Sequence, residues 1–418
     1  MYLSKSDVLS VLIAIAIFGG SVSAQQHTLA ESFPKAFEQV IKADFSDEEF
    51  ENFFSKYSDV IDADDGVAKA LSGSERPDKS LYPLYDFKSS KLYQDNIDKL
   101  LVSANPNLRL LAVKLIGASG DISREDALLT KLAIEDKPGI VVWAGMSLME
   151  LKTNHTTELF DFLVKYEDFG DAHMIPFYFG LDRNSIQKTA YERIDSKNDK
   201  AKILAAQALS VTEPNAKTEQ ILKQAVDNWD VKIKGYAISS INELRIGNLL
   251  RILQPLVNVP ETRGISLAAL ANSPTETDRK YVIGIAEEQQ TISLDILNAL
   301  FYSKNIENLK YWLRSLYSKK IPADYDIYIN EQPLLESDEL LPDLHRALQK
   351  VTDPKILAQL VEALRGRTDD ESISIVVSLL THADQSVRYF AASVAKDNPS
   401  GKLNEPSIKE LIEKNLKN

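Results

Sequence analysis

The residues to question first are those whose types could do chemistry. Five histidines stand singly along the chain: His27, His155, His173, His345 and His382. None belongs to a His-Glu-x-x-His helix or to a pair at zinc spacing, and there is no cysteine to supply a thiolate ligand or nucleophile. The stretch "YEDFGDAH" brings Asp168, Asp171 and His173 together, but at a helix start, where acids and histidine serve as caps. "DVIDADDG" resembles a calcium loop only superficially. Counted back from Gly66, Ile61 and Ala63 fall where the first two ligands must be, and Ser72 falls where the bidentate Glu belongs. A Gly-x-Ser-x-Gly elbow, a phosphate-cradling Gly-Lys-Ser/Thr loop and a dinucleotide fingerprint are all missing. The sequence therefore nominates no catalytic, cofactor-binding or metal-binding residue, and no cofactor is expected. The 61 acidic residues guarantee many carboxylate pairs without singling one out. "NHT" at Asn154 is a glycosylation sequon, meaningful only in a eukaryotic host.

Charge narrows the partners. Acidic residues outnumber the 48 basic ones and leave a net charge of −13, which disfavours nucleic acid and anionic membrane surfaces. The first residues read as an export signal. Lys5 precedes the apolar run "VLSVLIAIAIF", and "SVSA" places Val22 and Ala24 for cleavage before Gln25. The run is too short to span a bilayer comfortably, so no stable membrane insertion is expected after cleavage. An exported chain without cysteine is held by burial alone, which points to the periplasm or exterior of a Gram-negative bacterium.

Repetition organises the rest. Taking Ala112, Ala205, Ala237 and Ala391 as anchors, Asn105, Asn198, Asp230 or Asp384 stands seven residues before, and Arg109, Lys202, Lys234 or Arg388 three before. Chance would produce such a three-point match on the order of once in a chain of average composition. Weaker copies centre on Ala144, Tyr178, Ser266, Ile296 and Ala358. Each marked segment reads as a helix. The Asn or Asp is its N-cap, Pro106 costs nothing at the next position, and positions −4, −1, 0 and +3 relative to the anchor form an apolar face. In two copies those positions hold Leu108, Leu111, Ala112, Leu115 and Val387, Phe390, Ala391, Val394. The small anchor lets a partner helix come close. The Arg or Lys lays its stem on apolar surface and sends its head to water or to a neighbouring carboxylate, so that repetition would build a ladder between units. A second amphipathic helix, such as "NAKTEQILKQAVDN" or "DESISIVVSLLTHA", precedes each marked one. Such a pair cannot bury both faces alone, so stacking must supply the core.

At "NPNLRLLAVKLIG", "NDKAKILAAQAL" and "DQSVRYFAASVA" the chain resembles HEAT repeats in their bacterial form. The resemblance covers roughly residues 95–418. It implies an all-α, right-handed α-solenoid of the armadillo type, with about nine helix pairs of ~31 residues, curved so that the second helices line the concave side. The His-Glu pairs by which HEAT-like iron hydroxylases hold metal are absent. Residues 25–71 read as an N-terminal helical cap and 72–94 as a breaker-rich connector. One irregularity lies at 319–339, "KKIPADYDIYINEQPLLESDE", where a second helix is due and two prolines with Tyr/Ile alternation stand instead. Insertions in repeat arrays map to loops on one face, often a binding face. Tyr325 and Tyr328 with Asp324 and Asp326 have interface composition. The expected function is an exported, non-enzymatic scaffold or accessory subunit that binds a protein partner on the concave face. The competing expectation is a periplasmic glycan-active enzyme on a helical toroid with a carboxylate pair, for which only Trp143, Trp229 and Trp312 are available to stack on sugar.

Overall fold

The computed structural model describes residues 24–43, 45–61, 82–165, 183–329, 332–396, 398 and 400–417. Residues 1–23 of the segment read as an export signal, residues 72–81 of the connector, the copy at Tyr178 and the Asp168–His173 turn lie outside them. Among the described residues the fold is all-helical, with one isolated parallel bridge, Thr291 to Lys320, and no strand ladder. The chain divides into two compact units, Met1–Thr218 and Glu219–Asn418.

In the first unit, α1 (Ala24–Lys42) and α2 (Asp47–Ile61) form the N-terminal cap. Ser46 and Glu49 close a reciprocal capping box at the start of α2. Phe33, Phe37, Tyr57 and Phe87 meet edge to face at 5.3–5.6 Å and form an aromatic core. α3 (Pro106–Ala118) is the first marked helix. The Asn107 amide donates to Asp47 of α2 at 2.9 Å, and the Lys114 ammonium lies 5.3 Å from the Phe54 ring. Both contacts carry the same sequence offset, so α2 runs parallel to α3 as the preceding second helix would. α4 (Glu125–Ile134) and α5 (Pro138–Glu150) form the next pair, followed by α6 (Thr156–Lys165), α7 (Arg183–Arg193) and α8 (Asp199–Ser210).

The second unit takes up the chain within α9 (Ala216–Asn228). Its second-helix row holds α10 (Val231–Glu243), α11 (Pro260–Asn272), α13 (Leu294–Phe301), α16 (Pro354–Leu360) and α18 (Gln385–Lys396). α12 (Glu276–Glu288), α14 (Ile306–Ser318), α15 (Leu341–Lys350) and α17 (Asp370–Leu379) form the first-helix row, and α19 (Pro406–Lys417) packs on α18 at the end. Neighbours in a row pack on one another, as α10, α11 and α13 do in one and α14, α15 and α17 in the other. Between α13 and α16 the second row is carried by a strap whose residues 319–328 are non-helical.

Local chemistry explains the starts. Asn105, Asn198 and Asp230 each accept a backbone N–H at 2.8–2.9 Å from two residues on, and Asp384 accepts from Ser386 at 2.8 Å. Close approach explains the small residues. Ala112, Ala144, Ala205, Ala237 and Ala391 are wholly buried. At Gly117 a Cβ would lie 2.3 Å from the Glu150 carboxylate of α5. The Ser147 hydroxyl of α5 donates to the Val113 carbonyl of α3 at 2.9 Å.

The buried stripe is rotated from the expected one. Positions 0, +1 and +3 are almost uniformly buried, as Ala112, Val113 and Leu115 or Ala391, Ala392 and Val394 show. Position −1 turns half outward at Trp143, Tyr236, Ile265 and Phe390. The reason is geometric: α11 packs on α12 and on the second helices α10 and α13, and such neighbours claim the +1 side.

Candidate partner-binding surface

The cationic row sits beside the helix starts and is used internally. Arg109 donates through Nε and Nη2 to both oxygens of Glu135 at 3.0 and 2.8 Å, and through Nη1 to the carbonyls of Ser103 and Ala104. This bidentate clasp holds the Glu135 carboxyl down at about 2, with Lys131 assisting against the opposing effect of burial. Arg263 repeats the device, taking the Val257 carbonyl at 3.0 Å and reaching Asp295 in the next unit at 3.1 Å. Arg388 donates to the carbonyls of His382 and Ala383 at 2.8 Å. Lys202 pairs with Asp199 in its own first turn at 3.0 Å, and Lys234 is half-buried. The expected ladder is thus partial: a guanidinium can fold back onto carbonyls and still reach onward, whereas the Lys202 ammonium is spent locally. Ion pairs one repeat apart reinforce it, with Arg109–Glu135, Arg263–Asp295, Lys310–Glu339 and Lys402–Asp370 separated by 26, 32, 29 and 32 residues.

A second linkage joins the other ends of the second helices. In the 219–418 unit the buried Asn272 amide donates to Asn242 Oδ1 at 2.9 Å, and its own oxygen accepts from the Lys304 N–H at 2.7 Å. Ser303 Oγ and Asn308 Nδ2 both donate to the Ala271 carbonyl, at 3.0 and 2.8 Å. Gln332, from the strap, donates to the carbonyls of Phe301 and Ser303. Buried amides thereby tie consecutive repeats without using charge.

What both linkages leave open is the outer side of the second helices, at positions −2, −1 and +2. Position −2 holds Leu110, Val142, Ile203, Gly235, Gly264, Leu294 and Tyr389, all at least partly exposed, and only Ile356 of the Ala358 copy is buried. Position +2 holds Met146, Gln207, Ser239, Ala268, Asn298 and Ser393, again at least partly exposed, while Lys114 and Leu360 at the same position are buried. The Lys114 ammonium sits 3.7 Å over the Trp143 ring. Position −1 adds one exposed carboxylate, Asp295, which Arg263 holds, so in a chain that is 26% charged the row carries two charged side chains, Lys114 and Asp295, each engaged by a neighbour. Tyr389, 46% exposed, and the half-exposed Tyr236 and Trp143 supply aromatic surface within it. The sequence pattern did not single these residues out, and the signal that finds them is the depletion of charge opposite the anchor.

The strap residues divide. Tyr325 is 2% exposed, and its hydroxyl accepts from the Trp312 indole N–H at 2.9 Å. Burial raises the Tyr325 phenol above its usual range. It is a core residue, held inward because Trp312 needs an acceptor. Tyr328 is 58% exposed, Asp324 is exposed, and Asp326 pairs with Lys355 of α16 at 2.8 Å. Of the two other tryptophans, Trp312 is fully buried and Trp229 nearly so.

One constellation has the outline of nucleophilic chemistry. His345 Nε2 lies 2.8 Å from Ser372 Oγ, and Nδ1 lies 3.2 Å from Glu371. Both His345 and Ser372 are buried, so the trio clamps α15 to α17 and offers no nucleophile to solvent. Asp278 is likewise a buried clamp, accepting the N–H groups of Leu249 and Leu250 at 2.9 and 3.0 Å and the Ser273 hydroxyl at 2.6 Å. Among the described residues no group of three or more acids and histidines could hold a metal ion, and no helix is long and apolar enough to cross a membrane.

No protein-family model and no curated protein matches the sequence. Among solved structures, an engineered protein is similar with a TM-score of 0.31 and 14% identity, over 89% of this chain and 98% of its own. Kap121p, in a crystal structure bound to Ste12p, is similar with a TM-score of 0.30 and 12% identity, over 94% of this chain. The match spans 49% of Kap121p, about half its length.

Proposed function

We propose that the chain is an exported, non-enzymatic scaffold or accessory subunit of a bacterial envelope, which binds a protein partner through the outer row of its second helices. The observation that carries this reading is the contrast between rows on the same helices. The cationic row is engaged through Arg109, Lys202, Arg263 and Arg388, while the row at −2, −1 and +2 is mostly part-exposed, aromatic in places and charged only at Lys114 and Asp295. An interface core has that composition, because burying an unpaired charge against a partner is costly. In a curved array of HEAT type this row faces the concave side. The handedness and the cut before Gln25 belong to the same proposal, supported by the repeat pattern and by the order of residues in the N-terminal segment.

The test is capture from envelope extract by the full chain and by Ile265→Glu. Position 265 is part-buried, so a melting profile of the variant accompanies the capture, and the introduced carboxylate abolishes saturable capture by the folded protein. Equal capture by both proteins removes the outer row from the account. Fractionation with N-terminal sequencing checks export: the mature chain begins at Gln25.

A further inference from the structure

The N-terminal cap begins where the proposed export cut falls. α1 runs from Ala24 to Lys42, so cleavage between Ala24 and Gln25 leaves the new terminus in the first turn of a helix. That is an unfavourable place for an amine. The unpaired N–H groups of a first turn and the positive end of the helix dipole already lie there, and an α-ammonium adds a full unit of charge. Acidic side chains usually offset such charge, yet the first turn of α1 holds none, and after the cut it reads Gln25, Gln26, His27, Thr28. α2 supplies the contrast within the same cap, with Asp47, Glu48 and Glu49 in its first turn. The start of α1 matters to packing, because Phe33, about two turns on, is wholly buried in the aromatic core.

Glutamine at a chain terminus can remove that charge with its own side chain. We propose that Gln25 of the exported chain closes to a pyroglutamyl lactam, a modification that blocks the mature N-terminus. The inference rests on the proposed cut before Gln25 and adds the chemistry that follows it. The α-nitrogen, as the free amine, attacks the side-chain carbonyl carbon. The new Cδ–N bond completes a five-membered ring, the Cδ–Nε2 bond breaks, and Nε2 leaves as ammonia with a proton from the amine. Nothing is oxidised or reduced, and no co-reactant enters. The amine becomes a neutral amide N–H, so α1 starts without the opposing charge. The lactam also presents no α-amine to an aminopeptidase, at a chain end where proteolysis otherwise concentrates.

The test takes the chain from its native envelope fraction and dimethylates every free amine before digestion, so that an open Gln25 is trapped and cannot close during handling. Cleavage after glutamate then releases the peptide from Gln25 to Glu31. Mass spectrometry should show its predominant form unlabelled at the α-nitrogen and lighter by one ammonia. A predominant form that carries the dimethyl label on Gln25 overturns the inference and leaves the cut intact. A terminus at another residue removes the cut and the inference together. A second readout follows the charge. In Gln25→Ala the terminus keeps its amine, and the amides of Leu29 to Ser32 are the first that α1 can protect. They should exchange about two- to fivefold faster than in the lactam-bearing chain below pH ~7, with the gap closing above pH ~9 as the ammonium loses its proton. A gap that ignores pH overturns the role assigned to the lactam at the helix start, whatever the mass shows.

Discussion

In the 1–218 unit, α3 and α5 are joined through charge, by the clasp of Arg109 on Glu135 at the helix starts. In the 219–418 unit, α10, α11 and α13 are joined at their far ends by neutral amides, Asn242 to Asn272 to the Lys304 N–H. The helix pairs are alike, yet the polar devices between them answer to different conditions. A clasp between ions weakens when a carboxylate is protonated, while an amide ladder is indifferent to pH and nearly so to salt. The pattern of small anchors and caps makes the pairs, and the links between pairs are a separate choice made locally.

The comparison is broken most severely at its neutral end. Asn272→Ala removes a buried donor and an acceptor and strands Asn242 Oδ1 and the Lys304 N–H, at a cost of about 3 kcal/mol. Denaturant unfolding should show that loss, and amide exchange should quicken in α10, α11 and α13. Gly117→Ala comes next, since its Cβ would meet the Glu150 carboxylate and Ser147 and force α3 from α5, costing about 2 kcal/mol. Equilibrium melts compared with Gly139→Ala, a site with open space around it, isolate the effect.

The charged link sharpens the contrast through pH. The folded-state value of Glu135 is depressed, from an ordinary 4.5 to about 2. Its contribution is therefore complete above pH ~4.5 and fades as pH falls toward ~2. Glu135→Gln should cost about 1.5 kcal/mol at pH 7 and progressively less in acid, while the deficit of Asn272→Ala stays constant over the same range. A deficit for Glu135→Gln that does not shrink in acid would assign the clasp a packing role only.

How far these features could be read in advance depended on how local their physics is. The caps at Asn105, Asn198, Asp230 and Asp384 were legible because an Asx side chain and the N–H two residues on lie in one short stretch. The rotation of the buried stripe was not. Trp143, Ile265 and Phe390 are as apolar as the core residues, and only the neighbouring helix decides that position +1 goes inward instead. Glu135 and Asp295 could not be assigned to Arg109 and Arg263 because the spacing between partners changes from one pair to the next. At the strap, the alternation of Tyr and Ile was visible, but which parity faces the core was set by the indole N–H of Trp312, buried and in need of an acceptor.

The smallest expected effect on stability accompanies the largest on function. Tyr389→Glu, at an exposed site of the outer row, should change stability by less than about 0.5 kcal/mol, and Ile265→Glu, at a part-buried one, should cost about 1 kcal/mol, while both abolish partner capture. The most direct test places a photo-crosslinking side chain at Tyr236 or Ile265 in the outer row and, as a control, at Lys280 on the first-helix row, where the ammonium is exposed and pairs with Glu276. Irradiation in the native envelope should yield one saturable protein adduct from positions 236 and 265 and none from 280. Equal labelling from all three positions, or an adduct from Lys280 alone, would contradict the account.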